Sequence, residues 1–135
     1  MSKLLQRLRD PARSGVYRAS GAQAIEDAAR GSALDVVAID AGTNVLEAMA
    51  RALDFPEWFG GNWDALEDLL SDLAWRKGDG HVLLLRAYPA GDELGVLTDV
   101  LRAAAEYWAG RGKPFFAVYI DPQERLALPP LYREA

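Results

Sequence analysis

Apolar residues follow two alternating rhythms along the chain. Three runs, Leu34 to Ile39, His81 to Arg86 and Pro114 to Ile120, are almost wholly apolar and rich in branched side chains. Runs of that length and composition predict buried strands. Between them apolar positions recur every three or four residues. Val45, Leu46, Met49 and Leu53 form one stripe, Leu66, Leu69, Leu70 and Leu73 a second, and Leu94, Leu97, Leu101 and Ala105 a third. These stripes predict a helix after Thr43, one from Trp63 to about Ala74, and a long one from Gly91-Asp92 to about Ala109. Asp54-Phe55-Pro56 should end the first, Asn62 should cap the second, and Gly110 and Gly112 should terminate the third. Upstream, Leu4 to Leu8 suits a short helical turn and Gly15 to Arg18 a short strand at a sheet edge. Ser20 is placed to cap an Ala-rich helix from Ala22 to Arg30, closed by Gly31. The Pro-rich tail after Asp121-Pro122 is expected to wrap the surface.

Strands alternating with helices predict an α/β fold, a small and mostly parallel sheet of three or four strands with helices packed on it. The three strong strands are apolar on both sides, so both faces of the sheet should be covered. A chain of 135 residues fits one domain able to bury a core without staples. Cysteine is absent, which excludes disulfides, a thiol nucleophile and Cys-based metal sites. The one histidine, His81, excludes a pair of imidazoles and is expected to be structural. No apolar run nears the roughly 20 residues of a membrane span. The basic stretch at the start of the sequence is not followed by the apolar segment of a secretory signal, and a cytoplasmic life is expected.

Charge changes the picture more than composition does. The net charge is −5, from 20 acidic and 15 basic residues, a poor balance for binding nucleic acid directly. Its distribution is uneven. From Phe55 to Trp75 there are five acids, Glu57, Asp64, Glu67, Asp68 and Asp72, and no Lys or Arg, while the other 114 residues hold 15 of each sign. One 21-residue window therefore carries the whole imbalance. A negative patch of this kind points to a positively charged partner.

On a helix of about 100° per residue, the leucines of this window take one side and Asp64, Glu67, Asp68 and Asp72 the other. Asp64/Asp68 and Asp68/Asp72 are then like-charge pairs four residues apart, each destabilising by about 0.3 kcal/mol. No cation is interleaved to relieve them. A merely solvated acidic face is the plain alternative. The loop ahead weighs against it: Phe55-Pro-Glu-Trp-Phe-Gly-Gly-Asn62 sets three aromatics beside the acids. Phe55 suits a core position, whereas Trp58 or Phe59 is a candidate anchor of the kind that dominates interfaces. Other chemistries fit less well. Asp64, Glu67 and Asp68 form a conceivable Mg²⁺ site for a hydrolase, but they lie on a convex face, with no nucleophile or second ligand cluster in view. Gly60-Gly61 lacks the Lys-Ser/Thr of a phosphate loop. No cofactor is implied.

The stretch Phe55-Pro-Glu-Trp-Phe-Gly-Gly-Asn-Trp-Asp-Ala-Leu-Glu-Asp-Leu-Leu70 resembles the barstar family, intracellular inhibitors of barnase-type ribonucleases. The matching positions are Pro56, Glu57, Trp58, Phe59, Gly60, Asn62, Asp64, Ala65, Leu66 and Asp68. The resemblance implies a barstar-like domain spanning the chain, with a family core of about 33–120 and residues 1–32 as an N-terminal extension. It implies a monomer that binds one basic ribonuclease, with no enzymatic activity, metal or membrane role of its own. Asp68 would enter the phosphate site of the enzyme and Asp64 would meet a basic residue at its rim. Trp58 would pack on the catalytic histidine, and Gly60 and Asn62 would shape the loop. Phe59, Glu67 and Asp72 complete the expected contact surface. The chain also departs from the family: Glu67 and Leu73 stand where barstar carries tryptophans, and Glu106 is the nearest acid to those of its last long helix.

Overall fold

The computed structural model describes residues 2–133. Nine regular elements follow in order: α1 (Lys3–Leu8), β1 (Gly15–Ala19), α2 (Gln23–Ala29), β2 (Leu34–Asp40), α3 (Val45–Ala52), α4 (Trp63–Leu70), β3 (Gly80–Ala87), α5 (Gly91–Ala109) and β4 (Phe115–Ile120), with a 3-10 turn at Pro11–Arg13. The strands form one sheet in the order β1-β4-β3-β2, every neighbouring pair parallel. The fold is α/β, as the alternation of strands and helices predicts.

Period-two alternation sorts the central strands onto two covered faces. Leu83 and Leu85 of β3, with Phe115, Ala117 and Tyr119 of β4, point to the side that carries α3, α4 and α5. Val82, Leu84, Phe116 and Val118 point to the other, where Leu8 of α1, Ile25 of α2 and Leu131 of the tail pack on them. β3 is thus buried from Gly80 to Leu85 and β4 from Phe115 to Tyr119. β2 is not: its residues are mostly half-buried, because it is an edge strand although its composition reads as central. Apolarity reports coverage of the two faces, not position in the sheet order.

The other edge, β1, is sealed. Arg18 N–H donates to the carbonyl of Pro129 (3.0 Å), and Leu131 N–H donates to the carbonyl of Arg18 (2.9 Å). The tail therefore does more than wrap the surface, since Leu131 is fully buried. Asp121 starts it by accepting the backbone N–H groups of Arg125 (3.1 Å) and Leu126 (2.8 Å).

Two local expectations fail. The N-cap of α2 is Ala22, not Ser20, and the Ala22 side chain makes no capping bond. The acidic helix α4 stops at Leu70 rather than near Ala74. Ser71 and Asp72 are weak helix formers, and an acid is unfavourable at a helix C-terminus. Leu73 still reaches the core, but through a left-handed backbone (φ 48°). Periodicity placed Leu73 inside correctly; the route is a turn instead of a further helical turn.

Candidate functional site

Asn62 begins α4 as expected, its side-chain oxygen accepting the backbone N–H of Ala65 at 2.8 Å. Leu66, Leu69 and Leu70 then bury one side of the helix. Two indoles finish the supporting frame. The last carbonyls of a helix lack partners within it. Trp108 Nε1, from the end of α5, donates to the carbonyl of Leu70 at 2.8 Å, and Trp75 Nε1 donates to the carbonyl of Leu53, just after α3, at 2.8 Å. α4 is consequently held from below by leucines and at its C-terminus by α5.

Asp64, Glu67 and Asp68 project from the outer side of this helix and are exposed. Asp72 is exposed too, but it lies beyond the helix, so Asp68 and Asp72 are not a repelling pair within it. Among the described residues no Lys, Arg or His forms an ion pair with any of these four acids. Beside them stands Trp58, at 72% the most exposed large apolar side chain among the described residues. Phe55 and Phe59 instead turn inward against the core, edge to face with each other at 5.1 Å between ring centroids. The three aromatics of the loop thus divide into two that anchor it and one that is offered to solvent. Gly60 is exposed, and Gly61 takes the left-handed conformation (φ 69°) that turns the chain toward Asn62.

Behind the loop lies a cleft of about 490 Å³, bordered by Val45, Leu46, Glu47, Phe59, Gly61 and Glu93. Its acids have local explanations. Glu47 and Glu93 sit in the first turns of α3 and α5, where the helix dipole favours them, and Glu47 also pairs with Arg51. Among the described residues no three His, Cys, Asp or Glu side chains group so as to hold a metal ion, so the arrangement considered for Asp64, Glu67 and Asp68 is not formed. Among the described residues no helix is long and apolar enough to cross a membrane.

A second set of charges, invisible to motif reading, lies where the segment after α4 rejoins the sheet. Asp35 of β2 accepts two bonds from the Arg76 guanidinium (2.7 and 2.9 Å) and one from His81 Nδ1 of β3 (2.9 Å). Arg76 also reaches Asp54 at 3.0 Å. Burial would raise the Asp35 carboxyl, but the bonds from Arg76 and His81 prevail and hold it below the usual carboxylate value. Burial pushes the His81 imidazole below its usual value, against the opposing pull of Asp35. His81 is therefore neutral at pH 7, donates from Nδ1, and is structural as its position in a core strand suggested. The available signal was Asp35 itself, the charged residue inside an apolar run.

A charge-bearing helix face with a protruding aromatic has the form of a protein-docking surface. A family model described as Barstar (barnase inhibitor) matches residues 30–120. The chain belongs to the barstar family, whose members are inhibitors acting on protein partners. No curated protein and no solved structure matches it. The family match takes in α3, α4 and α5 with β2, β3 and β4, and leaves α1, β1 and α2 outside it.

Proposed function

We propose that this protein is a cytoplasmic inhibitor of a barnase-type ribonuclease, binding one enzyme molecule through α4 and the loop before it. One observation carries this reading: Asp64, Glu67 and Asp68 stand exposed on a leucine-backed helix with no internal countercharge among the described residues. An enzyme that binds RNA must line its cleft with cations. Carboxylates fixed on a rigid rod can occupy the phosphate positions of that cleft without offering a bond to cleave. Asp68 takes the central phosphate site and Asp64 a basic residue at the rim. Trp58 supplies the aromatic anchor, stacking on the enzyme's catalytic histidine. Phe59, Gly60 and Asn62 fix the loop, and Glu67 and Asp72 add to the negative field. Opposite charge speeds encounter, and salt weakens it.

The test is to titrate the pure protein into a panel of secreted bacterial-type ribonucleases, guanyl-preferring ones included, at low and high ionic strength. Stoichiometric one-to-one loss of RNA cleavage by at least one enzyme, with slower association at high salt, is the expected result. Full ribonuclease activity across the panel at equimolar protein would overturn the proposal.

A further inference from the structure

We propose that residues 54–76 form a recognition loop locked at its base, and that Asp54, Trp75 and Arg76 are positioning residues that set the acidic face before a partner arrives. This rests on the reading of α4 and Trp58 as the ribonuclease-binding surface.

The chain leaves α3 at Leu53 and Asp54 and returns at Trp75 and Arg76. These two stems are tied twice, by the Trp75 indole on the Leu53 carbonyl (2.8 Å) and by the Arg76 guanidinium on the Asp54 carboxylate (3.0 Å). Arg76 is in turn fixed to the sheet by its two bonds to Asp35. The lock continues into the loop through aromatic rings. Trp75 packs edge to face on Phe55 (5.9 Å between centroids), and Phe55 packs on Phe59, the neighbour of Trp58. None of the three positioning residues belongs to the exposed acidic face.

The backbone at Asp54 separates positioning from folding. Asp54 follows the C-cap of α3 with φ at 55°, its N–H donating to Arg51 and that of Phe55 donating to Ala50. This is the left-handed helix stop at which glycine is favoured. Aspartate is strained there, yet it supplies the carboxylate that Arg76 holds. Glycine would suit the backbone better and remove one of the two ties at the base of the loop.

Asp54→Gly and Trp75→Phe test this, each measured free and in complex with a ribonuclease that the wild type inhibits. Asp54→Gly is expected to hold or raise Tm. Trp75→Phe keeps a ring against Phe55 and leaves the charge unchanged, while it loses the N–H bond together with part of the ring. Both should release the ribonuclease about three- to tenfold faster, because the loop must then be ordered during binding. In the free protein both should speed amide hydrogen exchange across residues 57–65 relative to β3. The double variant should cost less than the two effects combined, since both open the same base. Unchanged exchange in that loop overturns the proposal, and so does unchanged dissociation. A fall in Tm of Asp54→Gly marks the residue as structural and overturns it likewise. The exchange measurement needs no partner: if no ribonuclease is inhibited, the proposed function fails while exchange still decides the lock.

Discussion

The molecule treats its carboxylates in two opposite ways. Asp35, almost enclosed at the base of the sheet, has an arginine and a histidine committed to it by three hydrogen bonds. Asp64, Glu67 and Asp68, about thirty residues on, have no cationic partner within the described chain and stand together in solvent. Folding alone accounts for the first arrangement, because a carboxylate out of water must be paired. It does not account for the second, which spends helix stability on mutual repulsion. Charges that serve the fold are answered internally. Those left unanswered are available to another molecule.

The contrast can be broken at either pole. The largest effect is expected for Asp68→Ala, which should weaken ribonuclease binding by several kcal/mol, about 4 or more, with Tm nearly unchanged; binding and melting measured on the same sample decide it. The family's own type complex is the standard example of such hot spots. Asp35→Ala should do the reverse. It leaves His81 without its carboxylate and Arg76 with Asp54 alone, costing about 3 kcal/mol of stability by urea unfolding. What binding it loses should be only what passes through Arg76.

Acid sharpens the same comparison. The His81 and Asp35 pKa values are both lowered in the fold, so the unfolded chain binds more protons and stability falls as pH falls. The histidine contribution is intact above its ordinary 6.5 and is lost as pH drops through its lowered value. Asp35 follows only below its ordinary 3.8. Tm should therefore decline between pH 7 and pH 5, and His81→Phe should flatten that stretch of the curve even though it melts lower throughout. The smallest effect comes from answering the exposed charge. Glu67→Lys places a cation three residues after Asp64 and should stabilise the fold by about 0.3 kcal/mol while slowing association with the ribonuclease, a gain and a loss read by melting and stopped flow.

The elements that packing dictates were legible in the sequence, and those that depend on distant partners were not. Leu66, Leu69 and Leu70 determine which side of α4 is buried, so the exposure of Asp64, Glu67 and Asp68 follows from spacing alone. The local signal of Asn62 sufficed to start that helix. Its end was misplaced because Leu73 keeps the helical rhythm while reaching the core through a left-handed turn. The Trp108 bond to Leu70 joins residues 38 apart in sequence, beyond any local pattern. Ser20 resembles a cap by residue type, but the chain runs two residues further before α2 begins. The Asp35–Arg76–His81 cluster and the Arg76–Asp54 tie span up to 46 positions; the parallel pairing of β2 with β3 sets Asp35 opposite His81, and the segment after α4 brings Arg76 to them.

The seam between β1 and the tail has a consequence for how the protein is made. β1 pairs with β4, about a hundred residues later, and is then sealed by Pro129 and Leu131. Contacts that bridge such lengths form slowly. A ribosome delivering this chain in order releases β1 about a hundred residues before β4, so that strand must wait, unpaired, until β4 and then Pro129 and Leu131 have followed it.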